Sequence, residues 1–224
     1  PALVLADFSE AIGRETAPAA AKNSVYGSTQ KIAVVHVPLI EKLMDKNETE
    51  MRETELYQRF QSLCKHAEVV IAMGDEASAA LGTVAENAVA KRQSDFVGDL
   101  LLALHGDGEM RLSWQEVRAF LSTGRLSRRG NLWQAWSSEA ADVRSAMADV
   151  QRVLSCGGAL EEAKRVFLMI TGKDGEFSLM EVQDVVDALT AALDEEAEVM
   201  LHVNCEKEFA DGVRVNMAVR LDAG

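Results

Sequence analysis

The sequence predicts an α/β protein with a partial parallel-sheet, Rossmann-like lobe, a long central helix, and an α+β lobe whose sheet has about four strands. Three observations predict this fold class. Short apolar runs alternate with helical segments early in the chain, as parallel strands and their crossovers do. Residues 84–105 then keep helical apolar spacing for about six turns. The last two apolar runs alternate with polar residues, which is typical of half-buried antiparallel strands.

The composition limits the class of protein. The 224 residues are 48% hydrophobic and 26% charged, as in a globular protein with a substantial core. Neither a long apolar span nor a basic, apolar leader is visible, so no transmembrane segment or signal peptide is expected. Three widely spaced cysteines without a C-x-x-C motif indicate reduced thiols in a cytoplasmic protein. The net charge of −13 opposes non-specific nucleic-acid binding.

The first predicted domain, residues 1–82, has the strand-helix alternation of a parallel sheet with right-handed crossovers. Strands are expected at 3–5, 31–37 and 68–73, with helices near 17–25 and 49–65. Ligands of such sheets bind at the carboxyl ends of the strands, which here means residues 7–16 and 74–77.

Residues 7–16 are the candidate phosphate-binding loop. Such a loop needs several glycines, so that backbone N–H groups approach the anion, and little negative charge nearby. This segment has one glycine, Gly13, and carries three acidic residues, whereas Arg14 and Thr16 alone favour an anion. A capped strand-to-helix turn is therefore the preferred interpretation.

The second predicted domain, residues 83–106, is the central helix. Its apolar residues are spaced by three and four, no proline interrupts it, and Gly106-Asp107-Gly108 ends it. It is interpreted as a strut between the two lobes.

The third predicted domain, residues 107–224, begins with a capping box. Ser113 with Glu116 three residues later predicts a helix start in which each side chain satisfies a free backbone N–H group. Ser138 is expected to cap a second helix, and Ser178 with Glu181 forms a second capping box. Strands are expected within 125–137 and at 164–171, 198–205 and 213–221, the last two antiparallel with Asp211-Gly212 in the turn between them. Helices are expected on one face of this sheet.

Three motifs in this domain carry a family resemblance. They are Ile170-Thr171-Gly172, the segment 178–182 (SLMEV) and the segment 211–215 (DGVRV). Their order and spacing over residues 163–220 resemble the C-terminal domain of FtsZ, the prokaryotic relative of tubulin. The central helix looks like the helix that joins the GTPase and C-terminal domains in that family.

The resemblance implies positions for nucleotide and catalytic groups. Gly13 and Thr16 fall in the family's glycine-rich signature, and Asn87 falls where an acid or amide contacts guanine. The acidic loop that acts on the GTP of the next subunit falls at 111–116, with Ser113 at its first acid and Glu116 at its second. Only one glycine of the signature is retained, and one of the two acids is missing. The resemblance thus implies a subunit architecture without effective GTP hydrolysis.

Three hypotheses follow. The first is a non-catalytic FtsZ/tubulin-like cytoskeletal or cell-division protein that binds itself or a related subunit and requires neither cofactor nor metal. The alternative is the C-terminal portion of an active GTPase whose N-terminal nucleotide-binding part lies outside this chain, with GTP as its ligand. The third is a scaffold that binds an unrelated small ligand beneath the central helix.

Overall fold

A computed structural model of the chain describes residues 2–7, 31–37, 69–74, 86–105, 112–122, 132–156, 158–207 and 209–221. The strands in these ranges are β1 (Ala2–Asp7), β2 (Lys31–Val37), β3 (Val69–Gly74), β4 (Leu132–Ala140), β5 (Ala163–Gly172), β6 (Glu198–Cys205) and β7 (Val213–Leu221). The helices are α1 (Glu86–His105), α2 (Trp114–Ser122), α3 (Val143–Cys156) and α4 (Leu179–Ala192). The helices expected near 17–25 and 49–65 lie outside the described residues.

The described strands form one seven-stranded sheet in the order β1-β2-β3-β4-β7-β5-β6. Strands β1 to β3 are parallel, as the apolar runs of the first domain predict, and β4, which was expected in a separate sheet of the third domain, pairs parallel with β3. Strand β7 is antiparallel to both of its neighbours, β4 and β5. The α/β class is confirmed, and the β3–β4 pairing joins the strands of the two predicted lobes into a continuous sheet. The proposed division at residues 82 and 106 remains a prediction.

Strands β6 and β7 run in opposite directions, as expected, but the expectation that they are neighbours joined by a turn was wrong. Strand β6 runs parallel to β5, with Val166 opposite Val199, and β7 lies on the other side of β5. The turn at Asp211-Gly212 therefore does not close a hairpin between β6 and β7. Apolar-polar alternation reports which face of a strand is buried, and it carries no information about the direction of the neighbouring strand.

The predicted cap at Ser138 was also wrong. Strand β4 continues through Ser138, which lies opposite Val215 of β7. Asp142 caps α3 instead, because its carboxylate accepts hydrogen bonds from the backbone N–H of Ser145 at 2.9 Å and from the Ser145 hydroxyl at 2.8 Å. Ser138 and Asp142 are both residue types that can cap a helix. Because β4 pairs with β7 as far as Ala140, the helix begins later than expected and Asp142 is its cap.

Helices cover both faces of the β4–β7–β5–β6 part of the sheet, not one face as expected. Alternate residues of β5 point to opposite faces, so that Leu168 packs with the α3 and α4 side chains and Phe167 packs with the α1 and α2 side chains. The helix predicted as a strut supplies the second layer. Phe96 and Leu100 of α1 are fully buried in this second cluster, as their spacing predicts.

Candidate functional site

The structure leaves three of the predicted site residues without described side chains. Gly13 and Thr16 lie outside the described residues. Asn87 lies in the first turn of α1, but its side chain is not among those described. The predicted nucleotide contacts of these residues therefore stay predictions.

Ser113 and Glu116 form the capping box that their spacing predicts. The backbone N–H of Ser113 donates to Glu116 Oε2 at 3.0 Å, and the backbone N–H of Glu116 donates to Ser113 Oγ at 3.1 Å. Hydrogen bonds from Ser113 hold the pKa of Glu116 below its usual value. The carboxylate at this position is thus ionised at neutral pH and is engaged by the first turn of its own helix.

The end of α2 is attached to the sheet through its terminal carbonyl groups. Trp133 Nε1 donates to the carbonyl of Leu121 at 3.1 Å, and Arg165 Nη1 donates to the carbonyl of Phe120 at 2.9 Å. The carbonyl groups in the last turn of a helix have no hydrogen-bond donor inside the helix, and the side chains of Trp133 and Arg165 donate to two of them. Because Val117 and Leu121 are fully buried, α2 and the capping box before it are held in a defined position on the sheet.

A buried polar cluster lies between α1 and the sheet. Asp99 of α1 is 3% exposed and accepts hydrogen bonds from Arg214 Nη1 at 3.0 Å and from Asn216 Nδ2. Asn204 donates to the Asp99 backbone carbonyl at 3.3 Å and to the Thr171 hydroxyl at 3.0 Å. We call these five residues, which come from α1, β5, β6 and β7, the polar cluster.

Arg214 extends the polar cluster to the protein surface. Its guanidinium also pairs with Glu139 of β4 and lies 3.5 Å from Asp95 of α1. Burial by itself would lower the pKa of Arg214, but the three carboxylates raise it above its usual value. The one cation therefore bridges α1, β4 and β7.

Burial dominates the protonation of Asp99. Removal from water raises the pKa of Asp99 to about 6, although Arg214 and hydrogen bonds from Thr171 and Asn216 act in the opposite direction. A carboxyl group that is closed off from solvent cannot meet a substrate. The arrangement is suited to fastening α1 to the sheet, with a carboxyl group that titrates near neutral pH.

A second arginine connects α1 to the opposite layer. The guanidinium of Arg92 lies 3.9 Å from the ring centroid of Trp136, within the range of a cation–π contact. Burial lowers the pKa of Arg92, and the charge of Asp149 on α3 opposes that shift. Helix α1 is therefore attached to the sheet at two places, by the polar cluster and by Arg92, which lies about two turns before Asp99.

Asp99, Asn204 and Asn216 were not predicted from the sequence as site residues. The available signal was the spacing of Asp95 and Asp99, which puts two carboxylates on one helix face four residues apart. Arg214 and Asn216 show the matching pattern, because they alternate with valines and a methionine along β7. Alternation of this kind is equally typical of a strand whose polar residues face solvent. Only the packing of α1 over β7 shows that these polar residues are covered by a helix.

Neither a metal site nor a membrane span is found among the described residues. No group of three or more histidine, cysteine, aspartate or glutamate side chains in those ranges is arranged to hold a metal ion. None of the described helices combines the length and apolar character that a membrane crossing requires.

Comparison with solved structures identifies similar folds. An empty FtsZ dimer from M. jannaschii matches with a TM-score of 0.58 and 17% identity, over 86% of this chain and 55% of that chain. CetZ from Methanosaeta thermophila matches with a TM-score of 0.53 and 16% identity, over 87% of this chain and 53% of that chain. GDP-bound CetZ1 from Haloferax volcanii matches with a TM-score of 0.54 and 10% identity, over 99% of this chain and 64% of that chain.

Comparisons with family models and with curated proteins give no match. The chain spans between 53% and 64% of the length of the solved structures described above. At these identities the likeness shows a shared fold, which confirms the fold class and the family resemblance that the sequence predicts.

Proposed function

We propose that this chain, which has the FtsZ/tubulin-like fold, is a non-catalytic cytoskeletal or cell-division protein of the cytoplasm. It acts by binding other subunits, either copies of itself or a subunit of FtsZ/tubulin type. One of the similar solved structures is described as an FtsZ dimer, which supports association between subunits of this fold. The proposal requires no cofactor.

The capping box of Ser113 and Glu116 carries the non-catalytic part of the proposal. Activation of water for attack on a phosphate requires a carboxylate that is free to orient it. Here the first of the two positions is a serine, and the carboxylate at the second accepts a backbone hydrogen bond at 3.0 Å. The segment can therefore form a contact surface for a neighbouring subunit while offering little help to hydrolysis.

The attachment of α1 supports a role as an assembly unit. Arg214 bridges α1 to β4 and β7, and Arg92, two turns before Asp99 on the same face of α1, stacks on Trp136 of β4. A subunit that transmits contacts along a filament benefits from a body whose layers do not shift against each other.

The experiment is sedimentation of the purified chain, alone and mixed with FtsZ, with and without GTP, together with phosphate release. We expect neither a GTP-dependent pellet nor phosphate release from the chain alone, and we expect co-sedimentation with FtsZ filaments. The variant Gln115→Lys, at the exposed start of α2, is expected to weaken co-sedimentation. Gln183→Lys makes the same change on the exposed face of α4 and serves as the matched control.

The second candidate function is that of the C-terminal portion of an active GTPase. The likeness to GDP-bound CetZ1 over 99% of this chain favours it. GTP would then be bound with residues outside this chain. Phosphate release or a strong GTP-dependent pellet from the chain alone would refute the first proposal and favour the second.

A further inference from the structure

Strand β6 is the last strand at one end of the described sheet. It pairs with β5 on one side, and no described strand pairs with its other side. Along an unpaired edge, alternate residues present backbone N–H and C=O groups that are available to another extended chain. The side chain of Leu201, in the middle of the strand, is 37% exposed.

Strand β6 has few of the features that protect natural sheet edges. Edge strands are normally shortened, bulged, interrupted by proline or given lysines, so that other chains do not pair with them. The eight residues of β6 contain no proline and no lysine, and their register with β5 is continuous from end to end. The one charged residue, Glu198, is paired with Arg165 of the neighbouring strand.

The charges around β6 select the type of partner. Glu195 and Glu196 are exposed just before the strand, whereas Glu206 after it is followed by the exposed Lys207, so the excess negative charge lies at the start of the strand. Asp194 is paired with Lys164 and so contributes little to the surface potential. A second copy of the chain, with its net charge of −13, would be repelled from this edge, whereas a segment with a basic end beside Glu195 and Glu196 would be attracted.

We propose that the β6 edge binds an extended, β-forming peptide segment of a partner protein that carries lysine or arginine at the end beside Glu195 and Glu196. Main-chain hydrogen bonds to β6 supply the affinity, and contacts with Leu201 and the flanking glutamates supply the selectivity. This surface is distinct from the start of α2 that the proposed function uses, so either proposal can fail without the other.

The test uses a fluorescent synthetic peptide of alternating valine and threonine with a pair of lysines at each end. Binding is measured by anisotropy, and hydrogen exchange of the full chain shows where the peptide lies. We expect slower exchange in β6 on binding. We also expect Leu201→Lys to weaken binding by about fivefold or more, because lysine is a natural blocker of sheet edges. Leu179→Lys, the same change at an exposed leucine of α4, should leave binding unchanged.

Two further comparisons separate the main-chain and charge contributions. The same peptide with every valine and threonine N-methylated should bind at least about tenfold more weakly, since its β-forming segment cannot donate main-chain hydrogen bonds. The double variant Glu195→Lys with Glu196→Lys should bind the lysine-flanked peptide more weakly and a glutamate-flanked peptide more tightly.

Several results would overturn the proposal. They are failure of the lysine-flanked peptide to bind, binding without slower exchange in β6, and equal binding by the two leucine variants. A dimer of the chain that buries β6 would also overturn it, because the occupant would then be a second copy.

Discussion

The substitution Asp99→Asn tests the energetic role of the polar cluster. In the folded chain the pKa of Asp99 is raised from 3.8 to about 6. The folded state therefore binds this proton more tightly than the unfolded state does. The stabilisation from that proton is fully present below pH 3.8 and is lost as the pH rises through about 6.

The magnitude follows from the size of the shift. A difference of about two pKa units at about 1.4 kcal/mol per unit corresponds to about 3 kcal/mol. Asparagine has nearly the same shape as aspartate and does not titrate, so Asp99→Asn removes this dependence. About two thirds of this stabilisation is lost between about pH 4.5 and about pH 7.5, so the free energy of unfolding of the variant, relative to wild type, should increase by about 2 kcal/mol over that range.

The assay is urea unfolding of both proteins across that pH range. Other titrating groups, including the buried His202, are present in both proteins and cancel in the difference. Asp184→Asn removes the same charge from the exposed surface of α4 and is the matched control. A difference between wild type and Asp99→Asn that stays constant with pH would refute the reasoning. It would mean that Arg214 keeps Asp99 ionised throughout the range.

Further predictions concern the same unfolding assay at fixed pH. Arg214→Ala should lower stability by about 3–5 kcal/mol, because it leaves a buried carboxylate unpaired, and Arg214→Lys should recover only part of the loss. Gly212→Ala should cost about 2 kcal/mol, since φ is 111° and the new Cβ would lie 2.6 Å from the Ala140 carbonyl oxygen. Gly175→Ala, at φ 84° with open space around Cβ, should lower stability less. An equal loss of stability in the two variants would contradict the expected clash at Gly212. Ser178→Ala should cost about 1 kcal/mol, and no loss would contradict its role in the capping box.

Local features were predictable because they depend on neighbours in sequence. The capping boxes at Ser113 and Ser178 form as their spacing predicts, since every partner lies within three residues. The buried face of α1 was predictable for a similar reason, because helical geometry puts Phe96 and Leu100 on one side. The motifs near residues 170–182 and 211–215 carried enough information to predict the family fold.

The candidate site was predictable only in part. Ser113 and Glu116 lie together as expected, but Gly13 and Thr16 fall outside the described residues, so their predicted contacts with a nucleotide are not tested. The polar cluster could not be derived from the sequence, because Asp99 and Asn216 are 117 residues apart and each has the pattern of an exposed polar residue.

For most of the described elements, the sequence by itself determined where helices and strands form, which face of each is apolar and where two of the helices begin. These features depend on spacing and on hydrogen bonds within a few residues. Only the tertiary structure decided that β7 inserts between β4 and β5, that β6 runs parallel to β5 at the edge, and that Asp99 of α1 meets Asn204, Arg214 and Asn216 of the sheet. Strand order and the burial of Asp99 depend on contacts between distant segments, whose free energy no local pattern encodes.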